Sequence, residues 1–248
     1  METARGKGIV VTGASRGLGK ALAIELAKRG GRVVMVARGE ADLAEAVREA
    51  RAVASEGGMA HGLAFDVGDK EAVHKIAGAA AALVGPIEVL VNNASTLGPV
   101  PMPLLLDTDC EALEAVLAVN LVGPFRLTKA LVGPMVLAER GVVVFLSSDA
   151  AVNAYPTWGA YGVSKAAQDH LARVFAAEHP SLRFYAVDPT DMDTEMHAAA
   201  IPDADPSTLA QPADIARRIA WLVEHREVPS GSRVSASELA SDLAGAAQ

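Results

Sequence analysis

"TGASRGLG", residues 12–19, sets glycines at 13, 17 and 19 directly after the apolar run Gly8–Val11 and at the opening of a helical pattern, Leu18–Arg29. Strand, glycine-rich turn and helix in that order are the context in which such a turn grips phosphate. Glycine lets the backbone turn tightly and approach a pyrophosphate. The helix start adds free N–H groups and the positive end of its dipole. An ordinary strand-to-helix turn is the plain reading; the order of the elements favours a dinucleotide site. The spacing is G-x-x-x-G-x-G, and the residues of the turn expected at a cofactor are Gly13, Ser15, Arg16, Gly17, Leu18 and Gly19.

Outward from this turn the same alternation repeats. Strand patterns at Arg32–Ala37, Leu63–Phe65, Ile87–Val91, Val142–Leu146 and Arg183–Val187 alternate with helical stretches. The helical stretches are Glu40–Ser55, Asp69–Leu83, Asp107–Glu139 (broken near Gly123-Pro124), Trp158–Glu178 and Asp214–His225. Strands separated by crossover helices form a parallel sheet, and strands apolar on both faces fit a sheet covered on both sides. The fold class is therefore α/β, a doubly wound three-layer arrangement. No internal repeat, low-complexity linker or charge block divides the 248 residues, so one domain is expected. The Pro/Asp-rich stretch Ile201–Gln211 reads as a loop over the site, within a substrate segment of about 189–212.

Composition narrows the partners. The chain is 51% hydrophobic, enough for a sizeable core, and its net charge is −8 without any dense Lys/Arg run. No nucleic-acid or anionic-membrane surface is expected, and a small-molecule partner is. The single cysteine, Cys110, forbids an internal disulfide and fits a reducing cytoplasm. No signal segment precedes the first strand, and no uncharged apolar stretch is long enough for a bilayer. The six histidines lack paired metal-ligand spacing, so no metal is expected.

The second strand settles the expected cofactor. Dinucleotide sites carry an acid at its end for the adenosine ribose. Here that place holds Ala37, followed by Arg38. Two guanidinium groups, Arg16 and Arg38, converging near the ribose would favour a 2′-phosphate, so NADP(H) is expected over NAD(H). Asp66-Val67 ends the third strand, where the Asp would hold the adenine amine or cap the next helix.

These residues, taken with N-N-A at 92–94, Asn120, Ser148 and Y-G-V-S-K at 161–165, resemble the short-chain dehydrogenase/reductase family, in the family's order and over Gly8 to about Thr194. The resemblance implies a Rossmann-type domain with a mostly parallel seven-stranded sheet and its site at the carboxyl ends of the strands. Tyr161 and Lys165, four apart, share one helix face. A free phenol ionises near pH 10, and a neighbouring cation favours phenolate. Lys165 and an oxidised nicotinamide would thus fit Tyr161 to exchange a proton with a carbonyl or alcohol. By the resemblance, Lys165 holds the nicotinamide ribose and Ser148 binds the substrate oxygen. Asn120 distorts its helix and holds a water that relays protons to Lys165. Asn93 and Ala94 support the adenosine side, and Pro189, Met192 and Thr194 face the nicotinamide.

The chain departs from the family's pattern at Ser95 and Thr190, each in place of a glycine, and at the C-terminus, where only R-V-S (233–235) remains strand-like. A β-branched Thr190 is strained if its φ is positive. A homodimer through Asp107–Glu139 and Trp158–Glu178, or a homotetramer, is expected. The expected activity is reduction of a small aldehyde or ketone, or oxidation of the matching alcohol. The alternative is an NADP(H)-binding sensor or assembly protein with little turnover.

Overall fold

A computed structural model of the protein describes residues 3–239. Seven parallel strands, β1 (Gly8–Thr12), β2 (Arg32–Ala37), β3 (Met59–Ala64), β4 (Ile87–Asn92), β5 (Val142–Leu146), β6 (Arg183–Asp188) and β7 (Arg233–Ser235), form one sheet. Their order is β3-β2-β1-β4-β5-β6-β7. The order reverses between β1 and β4, and in such sheets the crevice for a ligand opens there, beyond the carboxyl ends of the strands.

Helices α1 (Gly17–Lys28), α2 (Glu40–Val53) and α8 (Pro212–Glu224) cover one face; α3 (Ala72–Val84), α5 (Gly123–Leu137) and α6 (Gly159–Glu178) cover the other. Between them run α4 (Cys110–Leu117) and α7 (Glu195–Ala200). Side chains alternate across each strand, so Ile9 and Val11 enter one core while Val10 enters the other, all fully buried. Fully burying one such side chain stabilises the fold by about 1.5–3 kcal/mol.

Several elements differ from expectation. β3 begins at Met59, four residues before Leu63, and alternates exposed and covered positions because it is the sheet's edge. Helix α3 starts at Ala72, since Asp66 and Asp69 bend the preceding chain by accepting from Gly68 N and Glu71 N at 2.8 and 2.9 Å. Asp66 therefore does not cap α3. Helix α7 was not legible in the sequence, being six residues long. The segment 201–211 carries a 3₁₀ turn at Pro206–Thr208 and is tied down by the bridge Met192↔Ala210.

The long helical stretch is not broken at Gly123-Pro124. It passes through a π turn, Ala118–Val122, in which Gly123 N donates to Ala118 O. The helix Cys110–Leu137 thereby becomes continuous, and by length and apolarity it meets the requirement for crossing a bilayer. It carries Arg126 and Lys129, and its Leu127, Leu131 and Met135 are buried in the core beside the sheet. Packing on the sheet accounts for the buried part of its apolar surface.

Candidate active site

The glycine-rich turn is shaped by sterics. Gly13 and Gly17 have φ of +65° and +53°, in the left-handed region that suits glycine. A Cβ on Gly19 would lie 2.2 Å from Gly13 O, so α1 packs on the turn only because that side chain is missing. Asn93 locks the same turn from the neighbouring strand: its Nδ2 donates to Thr12 O and Gly13 O at 2.9 and 3.1 Å. The Thr12 hydroxyl in turn accepts from Asn93 N and Ala94 N, both at 3.0 Å. No side chain caps the N-terminus of α1. This is a cradle that fits a pyrophosphate: close backbone, uncapped amides and a helix dipole.

The arginines are arranged otherwise than expected. Arg16 reaches across to Glu195 at the start of α7, while Arg38 stands 3.9 Å from Asp66. The two guanidinium groups thus pair with different acids. All four side chains are well exposed, so each pairing is worth at most about 1 kcal/mol and yields readily to a stronger anion. Ala37 is buried at the end of β2, and Val67 is buried beneath the turn that follows β3. Ser15 and Leu18 lie at the mouth and the packed side of the turn, respectively.

At the other end, Ser148 follows β5 while Tyr161 and Lys165 project from the first turns of α6. Lys165 Nζ lies 5.4 Å from the centroid of the Tyr161 ring. Ser148 Oγ donates to Asp149 Oδ1 at 3.0 Å and accepts from Ala150 N at 3.2 Å. Its hydroxyl and that of Ser95 act on the Tyr161 phenol, favouring the phenolate. Ser95 Oγ is buried without a hydrogen-bond partner of ordinary geometry. Ser147, by contrast, turns toward Asp169.

The electrostatics correct one expectation. Burial pushes the Tyr161 phenol up to about 12, with Asp149 and Asp188 adding to the shift. Burial also brings Lys165 down to about 8, opposed by the charge of Asp169 one turn further along α6. Burial is the largest influence on this phenol, and the expected help from Lys165 is the joint one with an oxidised nicotinamide. The Lys165 ammonium lies over the Tyr161 ring and donates to Leu146 O at 2.6 Å and toward Gln168 Oε1 at 3.4 Å. Desolvation of the charged form dominates the shift of the phenol.

Asn120 is fully buried in the π turn, which resolves the mid-helix asparagine: the widened turn presents its amide inward. Its Oδ1 accepts from Thr96 N at 2.8 Å, and its Nδ2 donates to Thr96 O and Ser164 Oγ, both at 2.9 Å. It thus joins α6 to the chain after β4, and its side chain does not touch Lys165. After β6, Thr190 has φ +66°, so a β-branched residue does occupy a glycine-type conformation, at a cost of about 1–2 kcal/mol. Asp188 steadies it, accepting from Thr190 N at 3.0 Å. Pro189 and Met192 border this loop, and Thr194 caps α7 by accepting from His197 N at 3.2 Å. The Thr194 methyl would meet a Cβ on Gly17 at 3.4 Å, so the loop lies against the glycine turn.

Three residues of this region were not anticipated: Asp169, Asp188 and Arg233. From β7, Arg233 donates through Nε to Asp169 Oδ2 at 2.9 Å. Through Nη2 it donates to Ser148 O and Asp188 Oδ2 at 2.8 and 2.9 Å. One guanidinium therefore joins the Ser148 backbone, the helix of Lys165 and the Thr190 loop. The only sequence signal was a lone cation in a short strand.

A glycine cradle and a tyrosine–lysine–serine group meet at one edge of a seven-stranded parallel sheet. The sequence pattern of the short chain dehydrogenase family matches residues 7–205. The chain belongs to the short-chain dehydrogenase family. It is 30% identical over 217 residues to the Escherichia coli K12 oxidoreductase YciK, covering 87% of this chain and 85% of YciK. Among solved structures, a short-chain dehydrogenase from Shigella flexneri complexed with NADP superposes with a TM-score of 0.85 at 27% identity, covering 94% of this chain and 98% of that one. A short-chain dehydrogenase from Escherichia coli CFT073 complexed with NADPH gives 0.85 at 28%, over 94% and 97%. The short-chain dehydrogenase fold and an oxidoreductase chemistry are thereby established for this chain.

Proposed function

We propose that the protein is an NADP(H)-dependent oxidoreductase that reduces a small aldehyde or ketone, or oxidises the matching alcohol, with Tyr161 as the general acid or base. The observation that carries this reading is the approach of Ser148, Tyr161 and Lys165 at the carboxyl edge of the sheet that also bears the glycine cradle. When bound, NADP(H) supplies or accepts the hydride.

The chain's own residues then have separate tasks. The backbone of Gly13–Gly19 would bind the pyrophosphate. Arg38, backed by Arg16, would hold the 2′-phosphate by leaving its weak acid partner, and no acid at position 37 opposes it. Asp66 and Val67 would border the adenine, with Asn93 and Ala94 holding the turn beneath. Pro189, Met192 and Thr194 would line the nicotinamide side. Ser148 would hold the substrate oxygen while the Tyr161 hydroxyl gives it a proton. A phenol held at about 12 carries that proton at neutral pH, which suits it as the donor in reduction. Lys165 would turn from Leu146 O to the nicotinamide ribose, and Asn120 would hold α6 in place and open the relay to water.

The single sheet, with one core on each face, supports one domain over 1–248 with 189–212 as its substrate segment. Exposed Phe125 and Leu137 on α5, and Val163 and Val174 on α6, support a homo-oligomer through these helices.

Tyr161→Phe should lower NADPH-dependent carbonyl turnover at least about 10²-fold while NADPH affinity stays within twofold. Turnover unchanged in that variant would refute the role of Tyr161. Tight NADPH binding with no turnover of any carbonyl by the wild type would favour a sensor, a reading motivated by Thr190 and Ser95 in place of glycines. Arg38→Ala should weaken NADPH about tenfold or more and leave NADH nearly unchanged; equal losses would count against a 2′-phosphate site.

A further inference from the structure

We infer that the substrate side of this site takes a lipophilic carbonyl or alcohol, one carrying an aliphatic or aromatic chain, in preference to a polyhydroxylated one. The inference rests on the oxidoreductase reading above and concerns what surrounds Tyr161.

Tyr161 is the reactive hydroxyl, and its neighbours form a separate apolar cluster distinct from the two cores of the sheet. Leu97 and Ala150 are buried with it, and Met102, Trp158 and Ala200 pack against them. These residues come from three places: the chain after β4, the chain between β5 and α6, and α7. Trp158 sets its edge against the Tyr161 ring, with centroids 5.8 Å apart.

The same three segments carry an exposed apolar rim. After β4, Leu104, Leu105 and Leu106 are more than half exposed, Leu106 completely. Leu105 leans on the start of α6, where a Cβ on Gly159 would come within 2.3 Å of its Cγ. Between β5 and α6, Val152 and Tyr155 are exposed, and on and after α7 so are Met196 and Ile201. Scattered exposed apolar side chains need no explanation, but these lie on the same three segments that pack around the reactive hydroxyl, which points to a binding surface.

Several polar groups of these segments are engaged with one another, while Ser95 Oγ and His197 Nδ1 stay unpaired. Asp149 accepts from Ser148 Oγ and from Tyr155 Oη at 3.0 and 2.7 Å. His197 Nε2 faces Asp191 Oδ1 at 3.6 Å. A substrate with several hydroxyl groups would lose water against apolar side chains and find few free partners, which is costly; a hydrocarbon chain would gain by the same contact.

The test is a homologous series of aldehydes and 2-ketones from four to ten carbons, with erythrulose and glyceraldehyde as polyhydroxylated members, assayed with NADPH in the intact protein. kcat/KM should rise about threefold per methylene along the series, below the fourfold limit that full burial of a CH₂ at ~0.8 kcal/mol would give. Leu105→Ser should flatten the rise for the long members. A flat or falling series with erythrulose preferred would overturn the inference. Binding separates this from the oxidoreductase reading. In a Trp221→Phe background, Trp158 fluorescence should respond saturably to 2-decanone and not to erythrulose, whether or not hydride is transferred. A response to erythrulose alone, or to neither, would refute the lipophilic mouth even if some carbonyl is turned over; a response to 2-decanone without any turnover would instead refute the oxidoreductase reading.

Discussion

The phosphate cradle and the proton-transfer group lie at the same edge of the sheet, yet they are built on different physics. The cradle is local and steric. Eight consecutive residues, with one clasp from Asn93, determine its shape, and its glycines are required by φ angles and by contacts that a Cβ would make too close. The proton-transfer group is non-local and electrostatic. Its properties depend on burial and on charges brought from β6, β7 and the chain after β5, none of them adjacent to Tyr161 in sequence. Steric requirements leave a mark in the sequence at the place where they act; desolvation leaves none.

The largest effect expected from testing this contrast is at the non-local end. Arg233→Met removes the cation shared by the nearly buried Asp169 and Asp188, and leaving such charges unpaired should destabilise the fold by about 3 kcal/mol. Urea unfolding measures it. A loss under 0.5 kcal/mol would mean that the two acids find other partners and that β7 does not hold the site together. At the local end, Gly19→Ala should cost about 2 kcal/mol, as overpacking against Gly13 O does, and weaken NADPH by displacing the turn. Normal stability with normal NADPH affinity would show that the turn relaxes more easily than its contacts suggest.

The sequence and the structure agree most where periodicity and sterics decide. Strands β2 and β5 have the bounds their apolar patterns imply, and β7 is the R-V-S segment. The glycines that read as a phosphate turn have the left-handed angles and close contacts such a turn needs, and Thr190 has the positive φ that its place in a glycine position suggested. Where packing decides, the sequence was silent. An asparagine flanked by apolar residues signals an irregularity but not that it is a π turn, and a helix as short as α7 has too few positions to show a period. Two arginines near one ribose suggested convergence, but spacing gave no sign that Glu195 and Asp66, distant in the chain, pair with them. The pairing of Tyr161 with Lys165 suggested an acidic phenol, because spacing shows who is near and not how much water has been removed.

Burial keeps the Tyr161 proton in place, and the Lys165 ammonium is the group that titrates first. Lys165 is brought down to about 8 and Tyr161 up to about 12. Below pH 8 both are protonated, the donor in reduction is ready, and the cation beside it is intact. As pH rises through 8 the ammonium is lost first. The most direct measurement is a pair of pH–rate profiles, carbonyl reduction with NADPH and oxidation of the product alcohol with NADP⁺, from pH 6 to 10. The account predicts that reduction is level up to about pH 8 and then falls, while oxidation, which needs a proton acceptor, climbs with pH. A reduction rate that already falls between pH 6 and 7, with oxidation levelling off above pH 7, would mean that the phenol ionises near neutrality, and would contradict it.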